Sequence, residues 1–468
     1  MNLKGQNPEF DVVVIGGGNA ALVAAISARS KVNNVLMLER APIEFRGGNT
    51  RHTRNIRCVH AGADTFNTGS YQFEEMWDDL CKVGDGPSNE ELAFLTVSES
   101  ESVPTWMSKH GIVWQHPLKG TLHLGRTNRF FLGGGKALIN SYQSTLSRIG
   151  VFVLYDTLVE NIVFEGDRCN GVIVNRNGSR YKINAGAVVC ACGGYEANLE
   201  WLAKYWGTAA QNYFIRGPQY NDGTILKVLY NSGAASAGQE KGFHAVAVDA
   251  RSPRFDGGIA TRLDTIPFGI VVNRFGRRFY DEGEEIWPKR YAIWGRNIAE
   301  QEGQIAYSLW DSKVNSLFLP PMYSPEQADS IRELAQKLDL DEVAVTDTVD
   351  RFNAAVFPKG TFDPNQLDDC YTTGVQPSKS HWAQRLDAPP FYGIAMRPGI
   401  TFTYMGVAIN RDGLIVRQDG GHFRNLFAAG EIMSGNILST GYLAGFGLTI
   451  GSVWGRIAGR GAGIVART

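Results

Sequence analysis

The sequence predicts an α/β fold, and three observations carry that reading. Residues 11 to 15, DVVVI, are a continuous apolar run of the buried parallel-strand type. GGGNAALVAAISAR follows at once with small residues at helical spacing, and a second apolar strand, VLMLE, ends at Glu39. Strand, glycine turn, helix and acid-tipped strand make a Rossmann-like unit that binds a dinucleotide. Gly16 makes the tight turn, Gly18 lets the backbone approach a pyrophosphate, and Ala21 lets helix and sheet pack closely. The phosphate then sits on the helix N-terminus. Glu39 is placed to accept hydrogen bonds from adenosine ribose hydroxyls, where an NADP 2′-phosphate would be repelled.

Length and composition bound the rest. The chain has 468 residues, enough for two to four domains at roughly 100–200 residues each. Its 46 basic and 47 acidic residues give a net charge of -1, so neither a nucleic-acid partner nor an acidic tail is expected. The 54 glycines imply many tight turns. The six cysteines show no metal-ligand spacing and no dense framework, so no metal site is expected and a reduced, cytoplasmic setting fits best. No apolar run reaches the roughly 18–20 residues of a membrane span, and the first ten residues have no apolar segment for secretion.

Three further segments extend the first unit. RGGNT at 46–50 follows the second strand, GAVVCACGGY at 186–195 is an apolar strand ending in a glycine pair, and LFAAGEI at 426–432 is another. Their order resembles that of flavoproteins whose FAD-binding domain is split in sequence, which implies FAD and not NAD. GGGNAA, GGNT, ACGG, VNRFGRRFYDE at 272–282, MGV at 405–407 and AAGE at 428–431 stand in the order of the fumarate reductase/succinate dehydrogenase flavoprotein family, and the chain resembles that family over nearly its whole length. Within it, RGGNTRHTRNIRC, GGGKAL at 133–138 and KGFHAVAVDAR at 241–251 are most similar to the tricarballylate dehydrogenases.

The resemblance implies a glutathione-reductase-type FAD domain from residues 1–242 and 400–468, with an inserted α+β capping domain at 243–399. Asp222-Gly223 matches a family loop just before the first boundary, and the Pro-rich DAPPF precedes the return. Within the cap, 324–356 holds two amphipathic helical patterns, one opened by Ser324-Pro325 and one around Val345–Ala355, both read as packing faces.

For the cofactor, Glu431 matches the residue that bonds the flavin ribityl chain, and Gly47, Gly48, Asn49 and Thr50 match the loop along the isoalloxazine. Asn19, Ala20, Arg40, Gly134, Val159, Gly193, Asp222, Gly430, Gly447 and Leu448 complete the implied cofactor set. GYLAGFGLTIGSVWGRIAG at 441–459 reads as a glycine-rich entry into a helix whose N-terminus favours an anionic reduced flavin. Membrane-bound relatives join FAD covalently to a His; Thr50 aligns there, so non-covalent FAD is expected.

The family passes one hydrogen between substrate and flavin as hydride and the other as a proton through an Arg. The stretch FYDEGEEIWPKRYA places Arg290 in that role, with Lys289 as the alternative and Glu284 or Glu285 to assist. His244 and Thr261 match residues that bind substrate carboxylates. Two departures stand out. The family's His-x-Thr-Met-Gly-Gly reads TFTYMGV here, with no His, and Tyr442 stands at or near the position of a carboxylate-binding Arg. Arg262 also stands where a relay Glu would be. A different set of cations replaces the missing clamp, drawn from Arg46, Arg51, Arg54, Arg57 and Arg126, since charges this close are costly without anions among them.

The expected activity is therefore FAD-dependent oxidation of tricarballylate (propane-1,2,3-tricarboxylate) to cis-aconitate. Arg290, with Tyr442, would take the proton, and His244, Thr261, Arg54, Arg57, Arg126, Thr401 and Thr403 would hold carboxylates. The resemblance implies reoxidation by a separate membrane-associated iron–sulfur protein, and this chain has no cysteine pattern for a cluster of its own. A 3-ketosteroid dehydrogenase-like enzyme, a fumarate-reductase-like enzyme and a cobalamin-pathway flavoprotein are the enzymatic alternatives; a non-catalytic flavin-binding protein is the alternative of another class.

Overall fold

The computed structural model describes residues 8–84, 86–117 and 123–467. Its larger sheet has eight strands, and its parallel core follows from the apolar runs. Glu9–Ile15 pairs in parallel with Val35–Leu38 on one side and Ser179–Cys190 on the other. Phe152–Leu154 extends one edge and His422–Ala428 the other, both parallel, so residues from the two ends of the chain meet in one sheet. Leu414–Val416 closes the far edge antiparallel. Thr157–Glu165 and Arg168–Arg176 form an antiparallel hairpin joined to Ser179–Cys190.

Two helices cover a face of this sheet. Asn19–Arg29 and Phe446–Val465 pack closely because both carry small residues there: Cβ atoms at Gly455 and Gly459 would lie 2.8 Å from the Ala20 carbonyl and 2.3 Å from the Ala24 carbonyl. Close helix approach by small residues is what seats the C-terminal helix beside the first glycine turn.

The second sheet is built on one long strand, Phe391–Thr403. It pairs antiparallel with Phe243–Asp249, Ala306–Asp311 and Glu326–Ala328, and in parallel with Phe214–Ile215; Ile270–Asn273 joins beyond Ala306–Asp311. The strand runs without a break across position 400, so the return to the larger sheet lies after Thr403. The two helical patterns of 324–356 are present, with a shifted start. Helices run Ile331–Lys337 and Glu342–Ala355, capped by Ser330 and Asp341, whose side chains accept backbone N–H groups. Ser324-Pro325 instead leads into the strand Glu326–Ala328, because pairing with Phe391–Gly393 overrides the local helix signal. Among the described residues no helix is long and apolar enough to cross a membrane.

Candidate active site

A cleft opens at the carboxyl ends of the parallel strands, where ligands of open α/β sheets bind. Its floor is the first glycine turn. Gly16 has φ +116, and a Cβ there would fall 2.2 Å from the Ala191 carbonyl oxygen; one on Gly17 would fall 2.0 Å from Glu39 Oε2. Only glycine fits at Gly16, where the obstacle is backbone and φ is positive; a Cβ on Gly17 would have to displace the Glu39 carboxylate. The helix Asn19–Arg29 starts here without a side-chain cap, with Asn19 and Ala20 on the cleft wall; the Asn19 N–H donates to Thr50 Oγ1, and such a helix N-terminus favours an anion.

Glu39 closes one end. Its Oε1 accepts the Ala41 N–H at 2.8 Å, and burial pushes its carboxyl up to about 7 despite that bond. Arg40 and Asp222 form a 2.5 Å ion pair beside it, and Val159 lines the same end.

The middle of the cleft is polar and under-satisfied. Asn49 Nδ2 donates to Glu196 Oε1 at 2.8 Å and to the Thr401 carbonyl at 2.7 Å, and lies 3.3 Å from Glu431 Oε2. Asn221 also donates to Glu196, and the Thr403 N–H donates to Glu431 Oε1 at 3.1 Å. Burial raises both carboxyls, and the charge of Glu196 raises Glu431 further. Asn49 Oδ1, Asn19 Oδ1 and Glu196 Oε2 are buried without partners. Orphaned polar atoms beside a bare helix start, a buried acid at one end and glycines that leave open backbone are what an adenine dinucleotide with a polyhydroxylated linker would satisfy. The residues present fit FAD.

The other end is cationic. Arg54, Arg216 and Arg262 all line it, and Asp264 pairs with Arg262 at 2.6 Å. Arg216 donates to Thr401 Oγ1 at 2.7 Å and to the Gly258 carbonyl. Burial and the neighbouring Arg262 lower Arg54 and Arg216 to about 10, so both stay charged at neutral pH. Arg54 Nε and Nη2 and Arg262 Nε are buried donors with no partner. His244 Nδ1 and Nε2 are likewise unpartnered, and burial with Arg216 and Arg262 keeps the ring neutral. Tyr442 stacks on His244, and its hydroxyl accepts the Gly447 N–H at 2.8 Å. Tyr291 completes the wall, with the Arg262 guanidinium carbon 4.9 Å from its ring centre.

Of the residues expected from sequence, Gly16, Gly18, Asn19, Ala20, Glu39, Arg40, Gly48, Asn49, Thr50, Val159, Gly193, Asp222, Gly430, Glu431, Gly447 and Leu448 line the cleft, as do Arg54, His244, Thr401 and Tyr442. Gly47 and Gly134 lie behind it: a Cβ on Gly47 would strike Ile139, and one on Gly134 would face the Thr53 carbonyl at 3.3 Å. Thr261 and Thr403 are buried just outside, their hydroxyls on the Gly258 carbonyl and the Tyr195 N–H.

Other expected residues are elsewhere, among them Arg46, on the Ile43 carbonyl and Asn140, and Arg51, beside Asp256. Arg290 ends the short helix Trp287–Arg290 and turns away, with Nε and Nη2 on Glu284 at 2.7 and 2.8 Å and Nη2 also on the Tyr280 hydroxyl. Arg290 is held by its acid in two-point fashion, and Lys289 is likewise paired with Asp79 at 2.6 Å. Arg57 is fully buried, donating to the Ala444 carbonyl and the Tyr71 hydroxyl, and Arg126 is paired with Glu75. Arg57 and Arg126 line a separate cavity with Lys289. Sequence reasoning missed Arg216 and Tyr291 and gave Arg262 no role. Arg216 directly precedes the Gly-Pro of the loop that reaches Asp222, and Tyr291 is the neighbour of the residue that was singled out.

The family model described as FAD binding domain matches residues 11–448. Among curated proteins the chain is 28% identical over 442 residues to the NADH:fumarate oxidoreductase of Klebsiella pneumoniae (strain 342), covering 91% of this chain and 44% of that protein. The chain thus spans less than half the length of this relative. It is 26% identical over 347 residues to the 3-oxosteroid 1-dehydrogenase of Mycobacterium tuberculosis (strain ATCC 25618 / H37Rv), covering 67% of this chain and 60% of that protein. A solved structure of the open conformation of a flavocytochrome c3 fumarate reductase superposes with a TM-score of 0.75 at 22% identity, over 99% of this chain and 80% of that one.

Proposed function

The chain belongs to the FAD binding domain family and is an FAD-dependent oxidoreductase of the fumarate reductase/3-ketosteroid dehydrogenase type, acting on carbon–carbon bonds; from that premise we propose that it oxidises tricarballylate to cis-aconitate. One observation carries the substrate class. Arg54, Arg216 and Arg262 converge on one end of the cleft with unpartnered N–H groups on two of them and a single carboxylate, Asp264, among them. Buried cations short of anions are costly, and a substrate bearing several carboxylates supplies the missing charge. A fused apolar ring system would leave those guanidiniums unpaired at the same cost.

Bound FAD supplies the two-electron acceptor for a hydride. This chain's residues do the rest. The arginine forks grip carboxylates in two-point fashion and hold the reacting carbons in one orientation. Neutral His244, fixed by its stack on Tyr442, offers a ring N–H to a further carboxylate. Cations at the carboxylate next to the carbon that loses its proton stabilise the negative charge developing there. The Tyr442 hydroxyl, already accepting from Gly447, has its own proton free to donate into the cleft.

FAD is held without a covalent bond in this reading. Thr50, at the position aligned with the linking His of relatives, accepts the Asn19 N–H at 2.9 Å. Residues 243–399 make up the body of the cap, whose strand Phe391–Thr403 runs a few residues past that boundary, and a separate membrane-associated iron–sulfur protein takes the electrons from this cytoplasmic chain. Turnover with a dye acceptor tests the substrate: cis-aconitate detected by mass spectrometry from tricarballylate supports it. Androstenedione turning over in place of tricarballylate would reject it.

A further inference from the structure

We infer that the separate cavity walled by Arg57, Arg126 and Lys289 binds a small oxyanion, a phosphate or a carboxylate, apart from the substrate end of the cleft.

Its walls come from two distant stretches of chain. Arg57 ends the strand Asn55–Arg57 and Arg126 lies in the short helix Leu124–Thr127, while Lys289 belongs to the helix Trp287–Arg290 and Asn365 to a later loop. The first two precede the cap and the last two lie within it, so the cavity sits in the seam between them. It measures about 190 Å³, against the roughly 10–15 Å³ that one water needs. Arg57 stands between this cavity and the cleft, its Nε donating at 3.0 Å to the carbonyl of the cleft-lining Ala444.

Charge in this region does not balance within the protein. Among the described residues the lining holds two arginines, a lysine and no carboxylate. Two acids serve these cations from outside the lining. Glu75 pairs with Arg126 in two-point fashion, and Asp79 is shared: Lys289 Nζ donates to one of its oxygens at 2.6 Å and the Tyr71 hydroxyl to the other at 2.7 Å. Arg57 lies 3.9 Å from that carboxylate, too far for a hydrogen bond, and reaches it through Tyr71, to whose hydroxyl Nη1 donates at 2.8 Å. Arg57 is fully buried, and its Nη2 has no partner. Three cations against two carboxylates leave one positive charge, and a buried guanidinium nitrogen without an acceptor is costly. Water in the cavity could accept a bond, but only an anion accepts and also offsets the charge.

An oxyanion matches the donors. Nη2 of Arg57 is free on one side, and on the other the Lys289 ammonium has three protons with one committed to Asp79. Ile286 and Pro288 add only apolar side chains to the wall, so the site selects charge over shape, and phosphate and carboxylate share what it requires. Bound there, the anion joins Arg57 and Arg126 to Lys289 across the seam and stabilises the folded chain by mass action.

Calorimetric titration of the oxidised holoenzyme with inorganic phosphate tests the site. Wild type should bind a phosphate whose affinity falls by about 10–150-fold in Lys289→Met, the equivalent of one lost charge-assisted hydrogen bond. Arg54→Met, altered in the cleft and not in the cavity, should hold that affinity within about threefold. Removing Lys289 also leaves Asp79 short of a cation, so Asn365→Asp gives an independent check. Asn365 is exposed, and the new carboxylate joins the lining without disturbing the core; phosphate should weaken by about two- to fivefold. If Lys289→Met purifies without FAD, Asn365→Asp decides alone. Citrate, whose central carbon bears no hydrogen to lose, separates the sources of the anion. Two citrates per chain, one of them dependent on Lys289, would assign the cavity to polycarboxylates, and a Lys289-dependent phosphate without such a citrate would assign it to inorganic anions. Affinities for both anions that are unchanged in Lys289→Met and Asn365→Asp, or no binding of either anion outside the cleft, would overturn the inference.

Discussion

The imidazole of His244 lies on the ring of Tyr442, with centroids 3.9 Å apart and planes 20° from parallel. One residue comes from the strand Phe243–Asp249 of the second sheet and the other from the loop that enters the C-terminal helix. The stack therefore ties the second sheet to the cofactor end of the site, and it holds a histidine whose two nitrogens have no protein partner.

That histidine gives the first prediction. Burial and the charges of Arg216 and Arg262 lower His244 well below 6.5, so the folded chain keeps it neutral while the unfolded chain binds a proton below that pH. Its contribution to stability is present above about pH 6.5 and is lost as pH falls. Thermal melts of the apoprotein should show the melting temperature dropping on acidification from pH 7 to 5, less so in His244→Gln.

Glu39 acts in the opposite sense. Its carboxyl is raised from 4.5 to about 7, so the folded apoprotein holds a proton there that the unfolded chain has released, and its contribution falls as pH rises from 4.5 to 7. Ribose hydroxyls donate to the ionised form. FAD affinity of the apoprotein, measured by quenching of flavin fluorescence, should strengthen as pH rises from about 6 to 8, by up to about tenfold per unit, and Glu39→Gln should flatten the curve.

Gly16→Ala should be severe. The new Cβ would meet the Ala191 carbonyl oxygen at 2.2 Å on a residue with φ +116, and neither strand can give way within a central parallel sheet. A loss of about 3 kcal/mol or more is expected, with FAD content reduced in the purified protein, both measurable by chemical denaturation and absorbance. Gly18→Ala is the contrast: its Cβ would meet nothing closer than 3.5 Å, so stability should change little while FAD affinity falls.

Arg54→Met should separate binding from fold. It removes a buried guanidinium with two unpartnered nitrogens, so the apoprotein should be no less stable. A lost charge-assisted bond of about 1.5–3 kcal/mol should raise the KM for a polycarboxylate by about 10–150-fold. Arg126→Met, which breaks a pair with Glu75 outside the cleft, should leave KM within about threefold.

The cofactor half was legible because its signals are local. Strand, glycine turn, helix and acid lie within about thirty residues, and backbone sterics at Gly16 require glycine in that turn. The substrate half was legible in type but not in place. An excess of arginine was visible, yet which arginines face the cleft depends on pairing with acids distant in sequence: Arg57 and Lys289 are claimed by the region around Asp79, Arg126 by Glu75, while Arg54 is left free. Arg216 and Arg262 carry no periodic or motif signal, and only the fold brings them together. Arg290 and Tyr291 differ by one position, a distinction that a short helix ending in a turn settles and a motif does not. The start of the helix near 331 shifted for a similar reason, because a strand partner distant in sequence, Phe391–Gly393, recruits Glu326–Ala328.

The central claim is that the arginine-lined cleft presents a polycarboxylate to FAD for oxidation at a carbon–carbon bond. Anaerobic titration of the holoenzyme with tricarballylate, read at the flavin absorbance near ~450 nm, addresses it most directly. The account predicts bleaching in wild type and greatly weakened saturation in Arg54→Met. A flavin that dithionite bleaches and tricarballylate does not would contradict it.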